Sequence, residues 1–251
     1  MSTTGLLLQT YLKKLRLPTF LKLYPQLSRQ AEEGNLTFEQ YLLRLVEQEV
    51  LNREENTHKQ RLRYARFPAQ KMLEQFDFTQ VPELSKPLVL KLAQGHYLEQ
   101  KENIVLLGNS GTGKTHLAVA LGMEACKQGR RVQFYTAAEL VNTLLEAQSQ
   151  YRLSRLENQL DRQDLLILDE LGYLPLDVQG AKLLFSVFAN RYERGSILVT
   201  GNLTFDKWQS IFQDPAMTAA LLDRLTHHCH ILPLNGESYR FKESSKKQNQ
   251  P

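Results

Sequence analysis

Eight consecutive residues, Gly108–Thr115, match the pattern of a phosphate-binding loop, G-x-x-x-x-G-K-T, at every position. In such a loop the glycines let the backbone wrap a polyphosphate with its N–H groups inward, and the following helix adds partial positive charge. We expect Lys114 to reach the β- and γ-phosphate oxygens and the Thr115 hydroxyl to ligate Mg²⁺. The predicted nucleotide-binding residues are Gly108, Asn109, Ser110, Gly111, Thr112, Gly113, Lys114 and Thr115. The pattern therefore predicts that the chain binds a nucleoside triphosphate.

An acidic pair further along the chain, Asp169 and Glu170, is the second feature that could do chemistry. The pair directly follows Leu165–Leu168, an apolar run typical of a strand buried on both faces. We expect Asp169 to hold Mg²⁺ through water, and Glu170 to orient and deprotonate an attacking water. An ordinary acidic strand end is the alternative. The combination with the phosphate loop favours hydrolysis over simple nucleotide storage.

Two more polar residues could complete such a site. Asn202 follows the predicted strand Ser196–Thr200 and could align the attacking water, although a Gly-Asn pair is also a common turn signal. Arg224 lies near a helix end and could bring positive charge to the nucleotide of a neighbouring subunit, with a surface ion pair as the alternative. Arg191 and Arg194 are weaker candidates for the same interface. The residues alone leave these roles open.

The elements that must position these residues alternate between strands and helices from Ile104 onward. Strands are predicted at Asn103–Leu107, Arg131–Tyr135, Leu165–Leu168, Ser196–Thr200 and His230–Leu232. Alternation of this kind predicts an α/β fold with a parallel sheet and helices on both faces.

The first 70 residues follow helical spacing instead. Thr37 and Gln40 fit a capping box at the start of a long helix, and Pro25 is expected to break a shorter helix before it. The long helix ends in a basic and aromatic stretch. Lys59, Arg61, Arg63 and Arg66 in that stretch could contact a nucleic-acid backbone without base specificity, or could form a solvated helix face.

Length and composition narrow the class of protein. A chain of 251 residues with 42% hydrophobic residues suits one α/β core and a smaller appendage. The sequence contains no membrane-spanning run and no signal peptide, and its two cysteines, Cys126 and Cys229, make no disulfide framework, so we expect a cytoplasmic protein. The predicted organisation is a helical N-terminal domain (1–70), a connector (71–102), the strand–helix domain (103–240) and a disordered tail (241–251).

Taken together, these motifs resemble the IstB/DnaC branch of the AAA+ ATPases, and most closely the IstB-like helper ATPases of insertion-sequence transposition. The resemblance covers nearly the whole chain. The segments that carry it are Gly108–Thr115, Leu165–Pro175, Arg191–Ile197, Asn202, Leu222–Leu225 and Gly236–Arg240.

The resemblance implies an ATPase that assembles on duplex DNA in its ATP state, remodels target DNA and recruits a partner transposase. The nucleotide would sit between subunits of a homo-oligomer, with Lys114, Glu170 and Asn202 acting beside an arginine finger, Arg224. The N-terminal helices would help to grip DNA. The core would be an AAA+ P-loop domain with a five-stranded parallel sheet and no C-terminal helical lid. Gly201 departs from the family, which often has Thr or Ser before the asparagine, so the backbone is expected to be looser there.

A replicative helicase loader of the DnaC type is the alternative within the same branch. It would bind a helicase and single-stranded DNA, and the catalytic motifs do not distinguish the two functions. A small-molecule kinase is disfavoured, because Asp169 and Glu170 suit activation of water better than phosphate transfer to a metabolite.

Overall fold

The computed structural model of the protein describes residues 3–173, 175–236 and 238–239. The chain divides after Gln60 into two compact units. The predicted tail, as well as Leu174, Glu237 and Arg240 of the segments that carry the family resemblance, lies outside the described residues. The domain limits predicted at residues 70 and 102 stay predictions. Within the described ranges, none of the helices is both long and apolar enough to cross a bilayer.

The described part of the first unit consists of helices joined by short turns. Its helices are α1 (Thr3–Lys14), α2 (Pro18–Glu33) and α3 (Phe38–Ala65), the last of which continues past Gln60 into the second unit. The predicted capping box is confirmed. The Thr37 N–H donates to Oε1 of Gln40 at 3.0 Å, and the Gln40 N–H donates to Oγ1 of Thr37 at 3.2 Å.

The expected helix break at Pro25 is wrong, because α2 runs through this residue. A proline removes one backbone hydrogen bond and fixes φ near about −65°, which is itself a helical value. The turns on both sides keep their own hydrogen bonds, so the helix continues at a local cost in stability.

Strands and helices alternate through the second unit, as the sequence predicts. The helices are α4 (Lys86–Ala93), α5 (His96–Glu99), α6 (Lys114–Lys127), α7 (Ala137–Ser149), α8 (Leu153–Asp161), α9 (Val178–Arg191), α10 (Gln209–Phe212) and α11 (Pro215–Thr226). The strands are β1 (Asn103–Leu107), β2 (Val132–Thr136), β3 (Leu165–Leu171), β4 (Ser196–Gly201) and β5 (Cys229–Pro233). They pair in parallel in the order β2-β3-β4-β1-β5, which confirms the predicted α/β fold and five-stranded sheet.

The position of β4 between β1 and β3 arranges the site. Leu107 at the end of β1 pairs with Gly201, and Leu168 of β3 pairs with Val199 on the other side of β4. Parallel strands end at the same edge of a sheet, and neighbours lie about 4.8 Å apart. The phosphate loop and the acidic pair therefore flank the end of β4, close enough for side chains to bridge the gap.

The sheet is buried on both faces, and residues along each strand alternate between two apolar layers. In β1, Ile104 and Leu106 pack in the layer that contains α6, whereas Val105 packs in the layer that contains α7, α9 and α11. The segment predicted as a connector contributes core residues, including Leu73 and Phe76, to the α6 layer. Residues that precede the sheet therefore pack against the phosphate loop and α6.

Gly201 is held on both sides rather than loosened. It pairs with β1 and with the end of β3, and a β-carbon on it would lie 3.1 Å from the carbonyl oxygen of Leu171. The backbones approach closely here, so the expected looseness is wrong, and an added methyl group would crowd the end of β3.

Arg191, at the end of α9, is a buried structural residue. Its side chain donates to the carbonyl oxygens of Leu160 at 2.6 Å, Gln163 at 3.0 Å and Ser196 at 2.9 Å, and Arg191 is 1% exposed. Burial lowers the pKa of Arg191 to about 10, so the group is still protonated at neutral pH. A guanidinium buried within one chain does not fit the interface role considered for it from the sequence, whereas Arg194 is exposed.

The replacement Arg191→Met should lower the free energy of unfolding by about 3 kcal/mol or more, because three buried carbonyl groups lose their donor. Arg194→Met, at an exposed position, should change it by less than about 0.5 kcal/mol. Urea denaturation followed by circular dichroism measures both variants. Equal losses would contradict the structural role of Arg191.

Candidate nucleotide-binding site

The phosphate loop joins β1 to α6, and its glycines shape it. Gly108 and Gly113 have φ values of +156° and +95°. A β-carbon on Gly108 would lie 2.0 Å from the carbonyl oxygen of Leu234, and one on Gly113 would lie 2.9 Å from the ring of Phe76. Both positions therefore require glycine. Gly113 caps α6 without a side-chain hydrogen bond, which leaves the N–H groups of the first turn to an anion.

Lys114, the first residue of α6, folds over the loop. Its Nζ donates to the carbonyl oxygens of Gly108 at 2.7 Å and Asn109 at 2.6 Å. The Thr112 hydroxyl donates to the same Asn109 carbonyl at 2.9 Å. These bonds hold the ammonium group among the residues predicted to bind phosphate.

Asp169 links the phosphate loop to β3 and β4. Its carboxylate accepts a hydrogen bond from the Thr115 hydroxyl at 2.9 Å and another from the Thr200 hydroxyl. Asp169 is 3% exposed, so these hydroxyls replace water around a buried carboxylate. A hydroxyl and a carboxylate in contact are oxygen donors that suit Mg²⁺. The two predicted magnesium ligands therefore lie together.

Glu170 reaches the cleft because β3 is irregular at this point. Leu166 and Leu168 pack in the α9 layer, and regular alternation would send Glu170 into that layer too. Instead the register with β4 shifts between Leu168 and Leu171, and Glu170 is exposed with φ of +61°. A bulge re-aims a side chain in this way, and a left-handed residue other than glycine costs about 1–3 kcal/mol. The Glu170 N–H donates to Oγ1 of Thr200 at 3.0 Å, which fixes the bulge.

A cleft of about 540 Å³ lies over the phosphate loop. The predicted site residues that line it are Ser110, Gly111, Thr112, Gly113, Lys114, Thr115, Glu170 and Asn202. The other lining residues are Pro68, Ala69, Lys71, Gln75, Phe76, Asp77, Gln80, His116, Val119, Tyr173, Thr200, Gly201 and Tyr239. This volume is typical of small-molecule sites. The cleft thus brings together most of the loop, Glu170 and Asn202, which are predicted from separate parts of the sequence. Gly108, Asn109 and Asp169 do not line it, although Asp169 is bonded to Thr115 of the loop.

Arg224 does not line this cleft. It lies on α11 with its guanidinium carbon 5.3 Å from the centre of the Phe185 ring. Its Nη1 is buried and has no hydrogen-bond acceptor among the described residues. Arg224 is therefore not among the residues around the candidate nucleotide cleft of its own chain.

The four basic residues proposed for DNA differ in their surroundings. Lys59, in the first unit, is exposed and forms an ion pair with Glu55 at 2.6 Å. In the second unit Arg61 is partly buried, with Nη2 3.6 Å from the position of a β-carbon on Gly129. Arg63 and Arg66 are exposed. Arg63 and Arg66 are therefore the two of these residues that the second unit exposes to a partner.

Sequence reasoning missed Thr200, which bonds to Asp169 and to the backbone of Glu170. The sequence predicts Thr200 only as the end of a strand, because its bonds depend on β4 lying beside β3. Tyr239 also lines the cleft, whereas the sequence distinguishes it only as a member of the segment Gly236–Arg240 that carries the family resemblance. The one feature of the sequence that could have indicated the role of Thr200 is that it is a polar residue at the end of an apolar strand.

Comparison with known proteins gives a consistent result. Residues 10–247 match the family model described as "IstB-like ATP binding protein". A relative from Pseudomonas aeruginosa, described as an ATP-binding protein of insertion sequence IS21, is 41% identical over 95% of this chain and 90% of its own length. Another, from Geobacillus stearothermophilus and described as an ATP-binding protein of insertion sequence IS5376, is 36% identical over 93% of both chains.

Solved structures share the fold at lower identity. AMPPCP-bound DnaA from Aquifex aeolicus has a TM-score of 0.58 and 22% identity, covering 72% of this chain and 55% of that one. DnaI has a TM-score of 0.55 and 16% identity, covering 67% of this chain and 90% of that one. At these identities the likeness concerns the fold alone.

Proposed function

This chain belongs to the IstB-like ATP-binding proteins, and from that premise we propose that it is a Mg²⁺-dependent ATPase that oligomerises on duplex DNA and assists a transposase. Its family and its AAA+ P-loop fold agree with the resemblance drawn from the motifs. Hydrolysis, assembly and the DNA and transposase partners are the proposed part.

The position of Glu170 is the observation that carries the proposal of hydrolysis. The bulge in β3 takes its carboxylate out of the apolar layer and exposes it in the cleft that Lys114 also lines. In the proposed reaction a water oxygen attacks the γ-phosphorus, the bond to the β-phosphate oxygen breaks, and Glu170 accepts the water proton. Asn202 lines the same cleft and would orient that water.

Thr115 and Asp169 are the residues that would hold Mg²⁺, and their oxygen donors fit this ion. The ion would neutralise charge on the phosphate oxygens. Lys114 would exchange its bonds to the loop carbonyls for bonds to phosphate oxygens, and the N–H groups at the start of α6 would face the same anion.

The replacement Glu170→Gln should lower ATP hydrolysis about 100-fold or more, because the amide cannot accept the water proton. ATP binding should stay within about twofold, since the shape is retained. Phosphate release and calorimetric titration measure the two quantities. Glu146→Gln, at an exposed position on α7, is the matched control and should retain both. Unchanged hydrolysis in the Glu170 variant would exclude it as the base.

Assembly is supported by the place of Arg224. A transferring phosphoryl group needs positive charge beyond Lys114, and Arg224 lies outside its own cleft. Head-to-tail contact between copies of the chain would bring the Arg224 of one subunit to the nucleotide of the next, making each active site shared.

Mixing two inactive variants tests the shared site. Lys114→Ala and Arg224→Ala should each lack ATPase activity, and an equimolar mixture should regain about a quarter of the wild-type rate, because that fraction of random head-to-tail interfaces is intact. Arg162→Ala, at an exposed arginine, should keep full activity alone. A mixture that stays inactive, although both variants assemble with wild-type subunits, would refute the shared arrangement.

The DNA and transposase partners rest on the family and on the basic residues. The relatives above are described as proteins of insertion sequences, which supports a transposase partner. Lys59, Arg61, Arg63 and Arg66 are the proposed backbone contacts, which carry no base specificity. A function on bacterial DNA would place the protein in the cytoplasm.

The double replacement Arg63→Ala/Arg66→Ala should weaken duplex-DNA binding and reduce the salt dependence of log Kd by about 0.9 for each lost phosphate contact. Lys182→Ala/Lys207→Ala, at two exposed lysines, is the control with the same loss of charge. Fluorescence anisotropy across a salt series, with ATP, with ADP and without nucleotide, gives the slopes. Equal slopes in both double variants would argue against these contacts.

The same measurement distinguishes the helicase loader. ATP-dependent complexes on duplex DNA support the transposition helper. Wild-type binding restricted to single strands would favour the DnaC-type function instead.

A further inference from the structure

We propose that Tyr239 contacts the bound nucleotide, with its ring packed against the base and sugar. The inference rests on the ATP site proposed above. Tyr239 belongs to the segment that follows β5, and this segment runs from the end of the sheet to the phosphate loop.

The segment after β5 contacts the phosphate loop at the point where the segment begins. The Leu234 N–H donates to the carbonyl oxygen of Leu107 at 2.7 Å. The Leu234 carbonyl oxygen lies so close to Gly108 that a β-carbon there would be 2.0 Å away. We call residues 234–236, 238 and 239 the C-terminal strap. The strap therefore starts in contact with the first glycine of the loop.

The strap meets the loop again at Gly111. The Tyr239 N–H donates to the Gly111 carbonyl oxygen at 3.0 Å, and the Oγ of Ser238 lies 2.1 Å from the position of a β-carbon on Gly111. Two contacts with the loop, at Gly108 and Gly111, fix where the strap crosses it. They place the backbone of Tyr239 beside the middle of the phosphate-binding segment.

Between these contacts the strap packs on the segment that precedes the sheet. Asn235 donates to Oε2 of Glu83 at 2.9 Å, and a β-carbon on Gly236 would lie 2.6 Å from the Gln80 carbonyl oxygen. Gln80 lines the cleft together with Tyr239. Tyr239 of the strap and Gln80 of this segment therefore form a wall of the cleft, and neither residue is among those proposed for phosphate, magnesium or water.

That wall is available to a part of the nucleotide other than its phosphates. The residues proposed above for the triphosphate, Mg²⁺ and the attacking water belong to the phosphate loop, to β3 and to the position that follows β4. The uncharged base and sugar of the nucleotide have no proposed contact among them. The ring of Phe76 is engaged in edge contacts with Phe78 at 4.9 Å and His116 at 5.4 Å, and Phe76 is 8% exposed. Tyr239 is 50% exposed and forms no ring pair within the described ranges. It therefore offers an aromatic face, and stacking of a base on such a face is sequence-tolerant and favourable.

The test compares a nucleotide with its phosphate part alone. In the full chain with Mg²⁺, Tyr239→Ala should raise the Kd for ADP about tenfold or more and leave the Kd for pyrophosphate within about twofold. Tyr239→Phe should bind ADP nearly as wild type, and Tyr239→Leu, which keeps bulk without a flat ring, should resemble the alanine variant. Tyr151→Ala, at a 99% exposed tyrosine outside the cleft, is the control. Thermal unfolding of the ligand-free proteins checks that the variants are folded.

Each result decides the proposal. Selective loss of ADP affinity supports base and sugar contact. Parallel loss of ADP and pyrophosphate affinity overturns it, because Tyr239 then acts through the shape of the loop, and unchanged ADP affinity in Tyr239→Ala also overturns it. Wild-type protein that binds neither ligand would reject the ATP site itself, whereas wild-type binding with an unaffected variant rejects only the role of Tyr239.

Discussion

The candidate site depends on one hydroxyl group, that of Thr200. It donates to the buried carboxylate of Asp169 and accepts the N–H of Glu170, so one side chain fixes two neighbouring acids. This is possible because β4 lies between the strand before the phosphate loop and the strand of the acidic pair. The sheet order therefore brings residues that are far apart in sequence to the same end of the sheet.

The two acids have different surroundings although they are adjacent. Asp169 is 3% exposed and accepts from two hydroxyl groups, which suits a fixed ligand position for a metal ion. Glu170 is exposed in the cleft on a left-handed backbone, which suits a group that meets water. Neighbouring carboxylates with different environments can take different chemical roles. The left-handed backbone at Glu170 is thus part of how the fold gives the two acids different surroundings.

The sequence predicts the parts of this protein that depend on local pattern. Apolar runs predict the strands, and the phosphate-loop pattern predicts phosphate binding whenever it lies between a strand and a helix. Long-range pairing was not predictable in the same way: the partners of Arg191 come from α8, the loop after it and β4. The bulge at Glu170 was hidden too, since it depends on the register between two strands. The helix break predicted at Pro25 is wrong because the neighbouring turns of α2 can stabilise the helix around a residue of low helix propensity.

The two cysteines lie in different layers of the core, and this makes them natural reporters. Cys126 packs in the α6 layer and Cys229 against the opposite one. Burial raises the pKa of the Cys126 thiol to about 11 and that of Cys229 to about 12, so neither reacts readily at neutral pH while the fold is closed. Opening of either side of the sheet would expose the thiol on that side further, and Cys229, which is already partly exposed, is the less protected of the two. The rate at which an alkylating reagent modifies each cysteine would therefore record the opening of the two layers separately, without any introduced label.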